Sequence, residues 1–295
     1  MIPILFLPGN SMQIKPFFDI NTATFSYIII DESSKSCAII DSVLDYDLHS
    51  GKTSTDSAAK IVDFITTHNL KTEWILETHI HADHLSAANY LKETLGGKTA
   101  IGSNIVKILP FWTALFNTAA DTPLDGSQFD HLLHDEEVIQ IGNLSLKTLH
   151  TPGHTPSCSC YLIEDSVFVG DLLLAPRIGT ARADFPNGSA NELFHSIQKI
   201  YALPESTKIL TCHDYPQSGH EPEHHSTVGG HKELNAILNG KTTEDQFVKV
   251  RNERDSKLGV PKLLIPAIQV NLRAGRFGEA DSNGTHYIKV PLNKF

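Results

Sequence analysis

The sequence has few cysteines and a shortage of basic residues. Its four cysteines, Cys37, Cys158, Cys160 and Cys212, show no disulfide-framework spacing, and Cys158-Ser-Cys160 has no second pair that would complete a zinc ribbon. There are 24 Lys and Arg residues against 34 Asp and Glu residues, giving a net charge of -10. Nucleic-acid and anionic-membrane partners require a basic surface, so this balance argues against both. We expect a reducing, cytoplasmic setting.

Long apolar runs are also absent. No run is long enough to span a bilayer. Residues 1–8 are apolar but lack a basic leader and a small-residue cleavage site, so we expect no signal peptide. The sequence contains neither a serine nucleophile elbow nor a phosphate-binding glycine loop. Its 295 residues, 40% apolar and 20% charged, have an ordinary composition and can form one large domain or two small ones.

The chain does contain metal-ligand side chains, which follow four separate runs that read as strands. A sheet gathers the ends of neighbouring strands at one edge, so residues far apart in sequence can meet there. Imidazole and carboxylate are the usual protein ligands of zinc and iron. The pattern therefore predicts a catalytic metal centre built from seven residues. These are His79, His81, Asp83, His84, His154, Asp171 and His213.

The spacing of these residues predicts more than one ligand direction. His79 and His81 lie two apart on an extended segment, so both rings should face the same side. Asp83 and His84 come where the chain turns into a helix and should point elsewhere, toward a second metal or a supporting role. Asp171 ends a buried strand, where an unpaired carboxylate is costly, so a cation partner is expected. The alternative is that all are surface or capping residues, but four ligand types within six residues seldom arise without a metal.

The order of elements describes two sheets between outer helices. We expect strands at 25–30, 36–41, 73–78, 99–101 and 208–212, and hairpins at 138–149 and 160–169. Helices are expected at 57–68, 85–95, 193–203 and 244–258, with Asp56 as the first N-cap and an insertion at 106–135. Residues 287–291 would pair as an edge strand. The fold class is therefore α/β (α+β), in a single domain over 1–295 with a core at about 12–217 and an extension at about 218–295.

The spacing of the seven ligand residues resembles that of the metallo-β-lactamase superfamily, and the resemblance covers most of the chain. It implies a four-layer αββα sandwich with the metal site at one edge of the paired sheets. The superfamily includes lactamases, thioesterases, lactonases, nucleases and oxygenases, so the fold alone does not choose the reaction.

Further segments resemble a narrower group, the persulfide dioxygenases. Gly179-Thr-Ala-Arg182-Ala-Asp184-Phe185 is similar to their Gly-x-x-Arg-x-Asp-Phe stretch, and His213-Asp214-Tyr215 is similar as well. So are residues 247–251 and 266–275. The insertion at 125–130 and the tail at 275–295 are closer still to a bacterial branch called β-lactamase hydrolase-like proteins.

This resemblance implies a particular metal centre. A single Fe(II) per chain would be held by His79, His154 and Asp171, the two-histidine, one-carboxylate arrangement of non-haem iron oxygenases. The remaining four residues would support these ligands, or would bind directly if two metals load. The ligand set permits one metal or two. The four residues are His81, Asp83, His84 and His213.

The implied function is an iron-dependent dioxygenase that oxidises glutathione persulfide, or a similar small persulfide, with O₂ to sulfite and thiol. Arg182 and Arg273 would hold substrate carboxylates, and Tyr215 would donate a hydrogen bond to the substrate. Alternatively, Arg182 forms a structural salt bridge with Asp184, and Tyr215 only packs. The expected partners are the persulfide or glutathione and O₂, with no nucleic acid and no membrane. Assembly as a homodimer is left open.

Two other functions are consistent with the same ligands. A thioester hydrolase resembling glyoxalase II, or another hydrolase of the superfamily, would use one or two Zn(II) ions and a metal-bound hydroxide. A non-catalytic metal-dependent sensor is the third class. Intact ligands with open coordination positions disfavour the sensor.

Overall fold

The structure, a computed structural model, describes residues 12–216 and 220–294. The apolar segment at residues 1–8 lies outside this part of the chain. Two six-stranded sheets pack face to face, with helices on the outer side of each. The expected αββα sandwich is confirmed. None of the helices in the described ranges combines the length and apolar character needed to cross a membrane.

The first sheet has the strand order β1-β2-β3-β6-β8-β9. Strand β2 is antiparallel to both β1 and β3. The other three pairs, β3–β6, β6–β8 and β8–β9, are parallel. The strands are β1 (Met12–Asp19), β2 (Thr24–Asp31), β3 (Ser36–Ile40), β6 (Lys71–Glu77), β8 (Lys98–Gly102) and β9 (His131–Leu133).

The second sheet has the order β10-β11-β12-β13-β14-β15 and is antiparallel except for the β13–β14 pair. The parallel pair is connected through a helix, as a parallel crossover requires. The strands are β10 (Val138–Ile141), β11 (Leu144–His150), β12 (Ser159–Ile163), β13 (Ser166–Phe168), β14 (Lys208–Leu210) and β15 (His225–Thr227).

A small third sheet, seven α-helices and one 3-10 helix (Ser103–Lys107) complete the described elements. The sheet contains β4 (Val43–Tyr46), β5 (Thr53–Ser54) and β7 (Leu85–Ser86). The helices are α1 (Asp56–Thr67), α2 (Ala88–Leu95), α3 (Leu109–Phe116), α4 (Ala190–Tyr201), α5 (Val228–Leu234), α6 (Glu244–Asp255) and α7 (Leu264–Asn271).

Strand β2 shows how the sequence produces the layers. All eight of its residues are buried, because it is covered on both faces. Phe25, Tyr27 and Ile29 belong to the cluster between the two sheets. Ile28 and Ile30 alternate with them and pack in the cluster that includes the outer helix α1. This two-sided burial fixes the register of the strands that lead to the site.

Three local expectations were wrong. Leu85 and Ser86 do not begin α2, because they pair with β4 as strand β7, and the helix starts at Ala88. Asp56 is the first residue of α1, and Thr55 is its N-cap. Residues 287–291 form no strand in the part of the chain that the structure describes.

Several elements were not expected, including the strands β1, β4, β5 and β9 and three elements after residue 224. Strand β15 and helix α5 lie in a stretch that reads as polar and histidine-rich, and α7 lies in a segment read only as a motif. The division into a core at 12–217 and a later extension stays a prediction.

Candidate metal centre

The ends of four strands bring the predicted ligands to one edge of the sandwich. The segment with His79, His81, Asp83 and His84 follows β6, and His154 lies on the loop after β11. Asp171 and His213 follow β13 and β14, which are neighbours in the second sheet. All five histidines are at least 95% buried. The two sheets therefore meet at the ligand cluster as expected.

The seven side chains form two groups that share a boundary. His79, His154 and Asp171 each offer a ligand atom, and these atoms lie within 4.8 Å of one another. The same is true of the second group, which contains the other four residues. These are His81, Asp83, His84 and His213. His81 offers its ligand atom to the second group. Its ring nevertheless lies 4.0 Å from that of His79, centroid to centroid, in agreement with the expectation that the two rings face the same side.

Asp171 lies between the groups and directs one oxygen toward each. Its Oδ2 is 3.6 Å from His154 Nε2 and 3.8 Å from His79 Nε2. Its Oδ1 is 3.3 Å from His213 Nε2, which in turn lies 3.1 Å from Asp83 Oδ2. These separations are too long for strong direct hydrogen bonds in the first group. They suit ligands arranged around a shared ion.

Backbone carbonyls fix the orientation of two of the rings. His154 Nδ1 donates to the Arg182 carbonyl oxygen at 2.7 Å, and His213 Nδ1 donates to the Ala23 carbonyl oxygen at 3.1 Å. A carbonyl can only accept, so the hydrogen of each ring is on Nδ1. The Nε2 lone pair of each ring therefore faces the cluster, as in a typical metal-binding histidine.

A buried carboxylate, Asp41, orients two more rings. His81 Nε2 donates to Asp41 Oδ1 at 3.0 Å, and the Thr78 hydroxyl donates to Asp41 Oδ2 at 2.8 Å. The Thr78 oxygen is then left to accept from His79 Nδ1 at 3.1 Å. The inward atoms are His81 Nδ1 and His79 Nε2. Asp41 is 2% exposed and supports both rings.

The electrostatics favour the ligand forms of His79, His154 and Asp83. Burial, and then the neighbouring His81 and His154, lower the pKa of His79 well below its ordinary value. Burial likewise lowers the pKa of His154, although Asp171 opposes it. Burial would raise the pKa of Asp83, but His213 and His84 hold it well below its usual range. Neutral imidazoles beside an ionised carboxylate are the protonation states that metals require. In the second group, burial would lower the pKa values of His81 and His213, but the carboxylates of Asp41 and Asp83, respectively, raise them.

Several inward-facing atoms of the cluster are buried without a hydrogen-bond partner. An unpaired buried polar atom costs about 1–3 kcal/mol, so native structures contain few of them. Here one of them belongs to the first group and four face the second, and a cation bound in each group would satisfy them. The residues therefore fit a metal ion. The atoms are His79 Nε2, His81 Nδ1, His84 Nε2, His213 Nε2 and Asp171 Oδ1.

Two glycines allow the loops to hold their ligands. Gly153 has φ +144°, and a Cβ there would lie 2.3 Å from the Leu193 Cα. Gly170 has φ +51°, and its Cβ would lie 2.5 Å from the Thr78 hydroxyl oxygen. No larger residue fits either position without backbone movement. The residues that directly follow these glycines, His154 and Asp171, are thereby fixed in place.

The three predicted substrate residues lie in different surroundings. Arg182 forms a two-point salt bridge with Asp184, at 2.6 and 2.8 Å, and donates to the Gly259 carbonyl oxygen. Tyr215 is half exposed, and its ring is parallel to that of His213 within 13° at 6.0 Å. Arg273 is buried and paired with Asp121 at 2.8 Å. Their substrate roles stay predictions.

Two apolar cavities with shared lining residues lie near the segments that carry the histidines. The inner one is lined by Ile80 and Ala82 of the metal segment and by Thr155, which follows His154. The outer one, of about 170 Å³, shares three lining residues with it and reaches Arg182. The shared residues are Trp112, Phe185 and Pro186. A larger polar cavity, of about 510 Å³, is lined by β4, β5 and nearby loops and contains none of the seven ligand residues. Neither apolar cavity is lined by a ligand residue either, but the inner one borders the segments that carry His79, His81 and His154.

Comparisons with known proteins agree with this geometry. The sequence pattern of the metallo-beta-lactamase superfamily matches residues 22–213. The chain is 48% identical to Glyoxylase B2 of Dictyostelium discoideum, over 97% of this chain and 98% of that protein. It is 46% identical to the Beta-lactamase hydrolase-like protein of Agrobacterium fabrum, over 95% of this chain and 65% of the relative.

More distant matches carry a more specific name. The mitochondrial persulfide dioxygenase ETHE1 of Homo sapiens is 29% identical, over 90% of each chain. The crystal structure of ETHE1 from Myxococcus xanthus superimposes with a TM-score of 0.72 at 26% identity, covering 90% of this chain and all of that one. With the αββα fold, the ligand cluster and these matches together, the chain belongs to the metallo-beta-lactamase superfamily.

Proposed function

We propose that this protein is an iron-dependent dioxygenase that oxidises a small persulfide, such as glutathione persulfide, to sulfite and thiol. The observation that carries the proposal is the group formed by His79, His154 and Asp171. Two imidazoles and one carboxylate with open positions are typical of non-haem iron oxygenases. The similarity to persulfide dioxygenases over 90% of both chains supports this choice.

The reaction balances without a further reductant. One persulfide, one O₂ and one water give one thiol, one sulfite and two protons. The terminal sulfur loses four electrons, O₂ gains them, and the sulfur–sulfur bond breaks. One Fe(II) held by the three ligands would supply the open coordination positions and the electron transfer that this chemistry needs.

The chain's own residues supply orientation and apolar surroundings. The Arg182 carbonyl oxygen holds His154 in one tautomer, and Asp41 holds His79 through the Thr78 hydroxyl, so these ligand positions are fixed before substrate arrives. Ile80, Trp112 and Phe185 form an apolar wall beside the metal segment, which makes the surroundings of the site apolar. Arg182, at the outer cavity, has donors left for a substrate carboxylate after its bonds to Asp184 and Gly259.

A thioester hydrolase is the second candidate, and one observation favours it. The second group of His81, Asp83, His84 and His213 is complete and shares Asp171 with the first. Two zinc ions could be held in this way, with a metal-bound hydroxide to attack a glutathione thioester. The 48% identity to a protein named Glyoxylase B2 agrees with this alternative.

In protein produced in iron-replete cells, metal content separates the two candidates. Protein purified without added metal is expected to hold one iron per chain, and Asp83→Ala should keep most of it, because Asp83 is outside the iron-binding group. Activity is still expected to fall by about 10–100-fold through lost orientation of His84 and His213. Elemental analysis of both proteins is the measurement. Two zincs per chain, one of them lost in Asp83→Ala, would support the hydrolase.

Arg182→Ala tests how the substrate is gripped. If the guanidinium only binds a carboxylate, the variant loses a contact that is equally strong in the ground state and the transition state. KM should then rise by about tenfold or more, with kcat little changed. Steady-state kinetics would show this, with the exposed Arg254→Ala on α6 as the control. A fall in kcat with unchanged KM would contradict simple binding. Such a result would indicate that Arg182 acts on the position of His154 through the Phe185 ring. The centroid of this ring lies 5.3 Å from the Arg182 guanidinium and 5.0 Å from that of the His154 ring.

A cytoplasmic location of the enzyme is part of the same proposal. All four cysteines are buried and free, which agrees with a reducing cytoplasm. Burial raises the pKa of Cys158 and of Cys160 to about 12, so these thiols are not nucleophiles at neutral pH. Assembly as a homodimer and the use of glutathione as the thiol carrier are likewise proposed.

A further inference from the structure

We propose that Asn271, on helix α7, is a positioning residue of the metal centre. It would hold the His81–His84 turn in its ligand-presenting shape from a helix that lies outside the matched family region of 22–213. The inference rests on the proposed metal centre. It does not depend on the choice between dioxygenase and hydrolase, because it concerns ligand placement and not substrate.

All three hydrogen bonds of the Asn271 side chain go to the metal segment. Its Nδ2 donates to the His81 carbonyl oxygen at 2.9 Å and to the His84 carbonyl oxygen at 2.8 Å. Its Oδ1 accepts from the Ser86 amide at 2.7 Å. One side chain thus joins the two ends of the turn that carries Asp83. The residue is 3% exposed, so water cannot replace these bonds.

The helix that carries Asn271 is anchored on two sides. Ala267 and Val270 pack in the cluster that contains α1 and α2. Leu264 and Ile268 pack in the cluster around α3. An amide held by two separate apolar contacts cannot follow the turn if the turn moves. The amide therefore restrains the positions of the ligands on the turn.

Only an amide meets the requirements of this position. Two carbonyl oxygens need donors, and one backbone N–H needs an acceptor, at the same buried site. A carboxylate of the same size would set a charge against two carbonyls, and an apolar side chain would leave three buried groups unpaired. Helix α7 is almost entirely buried, so a polar side chain on it needs hydrogen-bond partners. The turn that Asn271 binds supplies these partners and thus explains the amide at this position.

Asn271→Ala is expected to weaken Zn(II) binding by at least about tenfold, the usual cost of removing an outer support of a metal ligand. The measurement is competition with a chromophoric chelator on the metal-stripped full chain, read at the weaker site if two ions load. A second readout is the absorption spectrum of the Co(II)-loaded protein, which should change with the altered ligand geometry. If Asn271→Ala does not fold, Asn271→Ser, which keeps one donor, takes its place.

Gln269→Ala is the matched control. Gln269 is a buried amide on the same helix with three hydrogen bonds, all to Ile265 and Lys289. Its loss should lower thermal stability but leave zinc affinity within about threefold and the cobalt spectrum unchanged. Equal zinc affinity in the two variants would overturn the positioning role of Asn271 but would leave the proposed metal centre in place. Failure of the unmodified protein to bind zinc or iron would overturn the metal centre and this inference with it.

Discussion

His154→Ala is expected to abolish iron binding and with it the activity. The variant removes one of only three ligands in the first group, and neither neighbouring ligand, His79 or Asp171, can replace an imidazole at that position. Changes in outer support alone cost about 10–100-fold, so loss of a ligand should cost more than about 100-fold in activity. Elemental analysis together with O₂ uptake measures both effects.

His150→Ala provides the control for this experiment. His150 ends the same strand, β11, but its ring contacts the Leu133 carbonyl oxygen and the Asn104 side chain. Its removal should leave iron content unchanged. Full iron occupancy in His154→Ala would show that the assignment of His79, His154 and Asp171 as the ligands is wrong.

The second large effect concerns the reaction. The iron-loaded protein should consume O₂ only when glutathione persulfide is added, and it should release one sulfite for each O₂ consumed. It should hydrolyse S-lactoylglutathione poorly. An oxygen electrode and a sulfite assay on the same sample give the stoichiometry, and the thioester is followed separately by absorbance.

The same chain loaded with zinc is the control, because zinc has no redox chemistry and should support no O₂ uptake. A fully iron-loaded sample that shows no persulfide-dependent uptake, while it cleaves the thioester rapidly, would favour the hydrolase. The proposed substrate would then be wrong, although the ligand cluster would still stand.

The sequence predicted most of the architecture that positions the site. Strands such as β2 and β3 are short apolar runs bounded by turns, and that signal is local. The ligands could be found because each follows such a run, and strand ends meet at a sheet edge. The edge strand expected at 287–291 failed because pairing depends on what lies beside a segment. Here Lys289 bonds to the Gln269 side chain instead.

The supporting residues were harder to find for the same physical reason. Asp41 directly follows β3, as the ligands follow their strands, but a single carboxylate there is ambiguous until its contacts with His81 and Thr78 are seen. Asn271 carries no local signal, because the turn it holds lies 190 residues earlier. Roles that arise from contacts between distant segments cannot be read from spacing alone.

The position of Asp171 between two complete ligand groups bears on how this chain acquires its metal in a cell. Imidazole and carboxylate side chains bind zinc more tightly than ferrous iron under the general affinity order of divalent metals. A polypeptide with these donors therefore does not select iron by affinity. The relative supply of the two ions during biosynthesis would decide which of them is installed. Under the proposed centre, one gene product would yield an oxidising enzyme in iron-replete cells and a zinc protein in iron-starved ones.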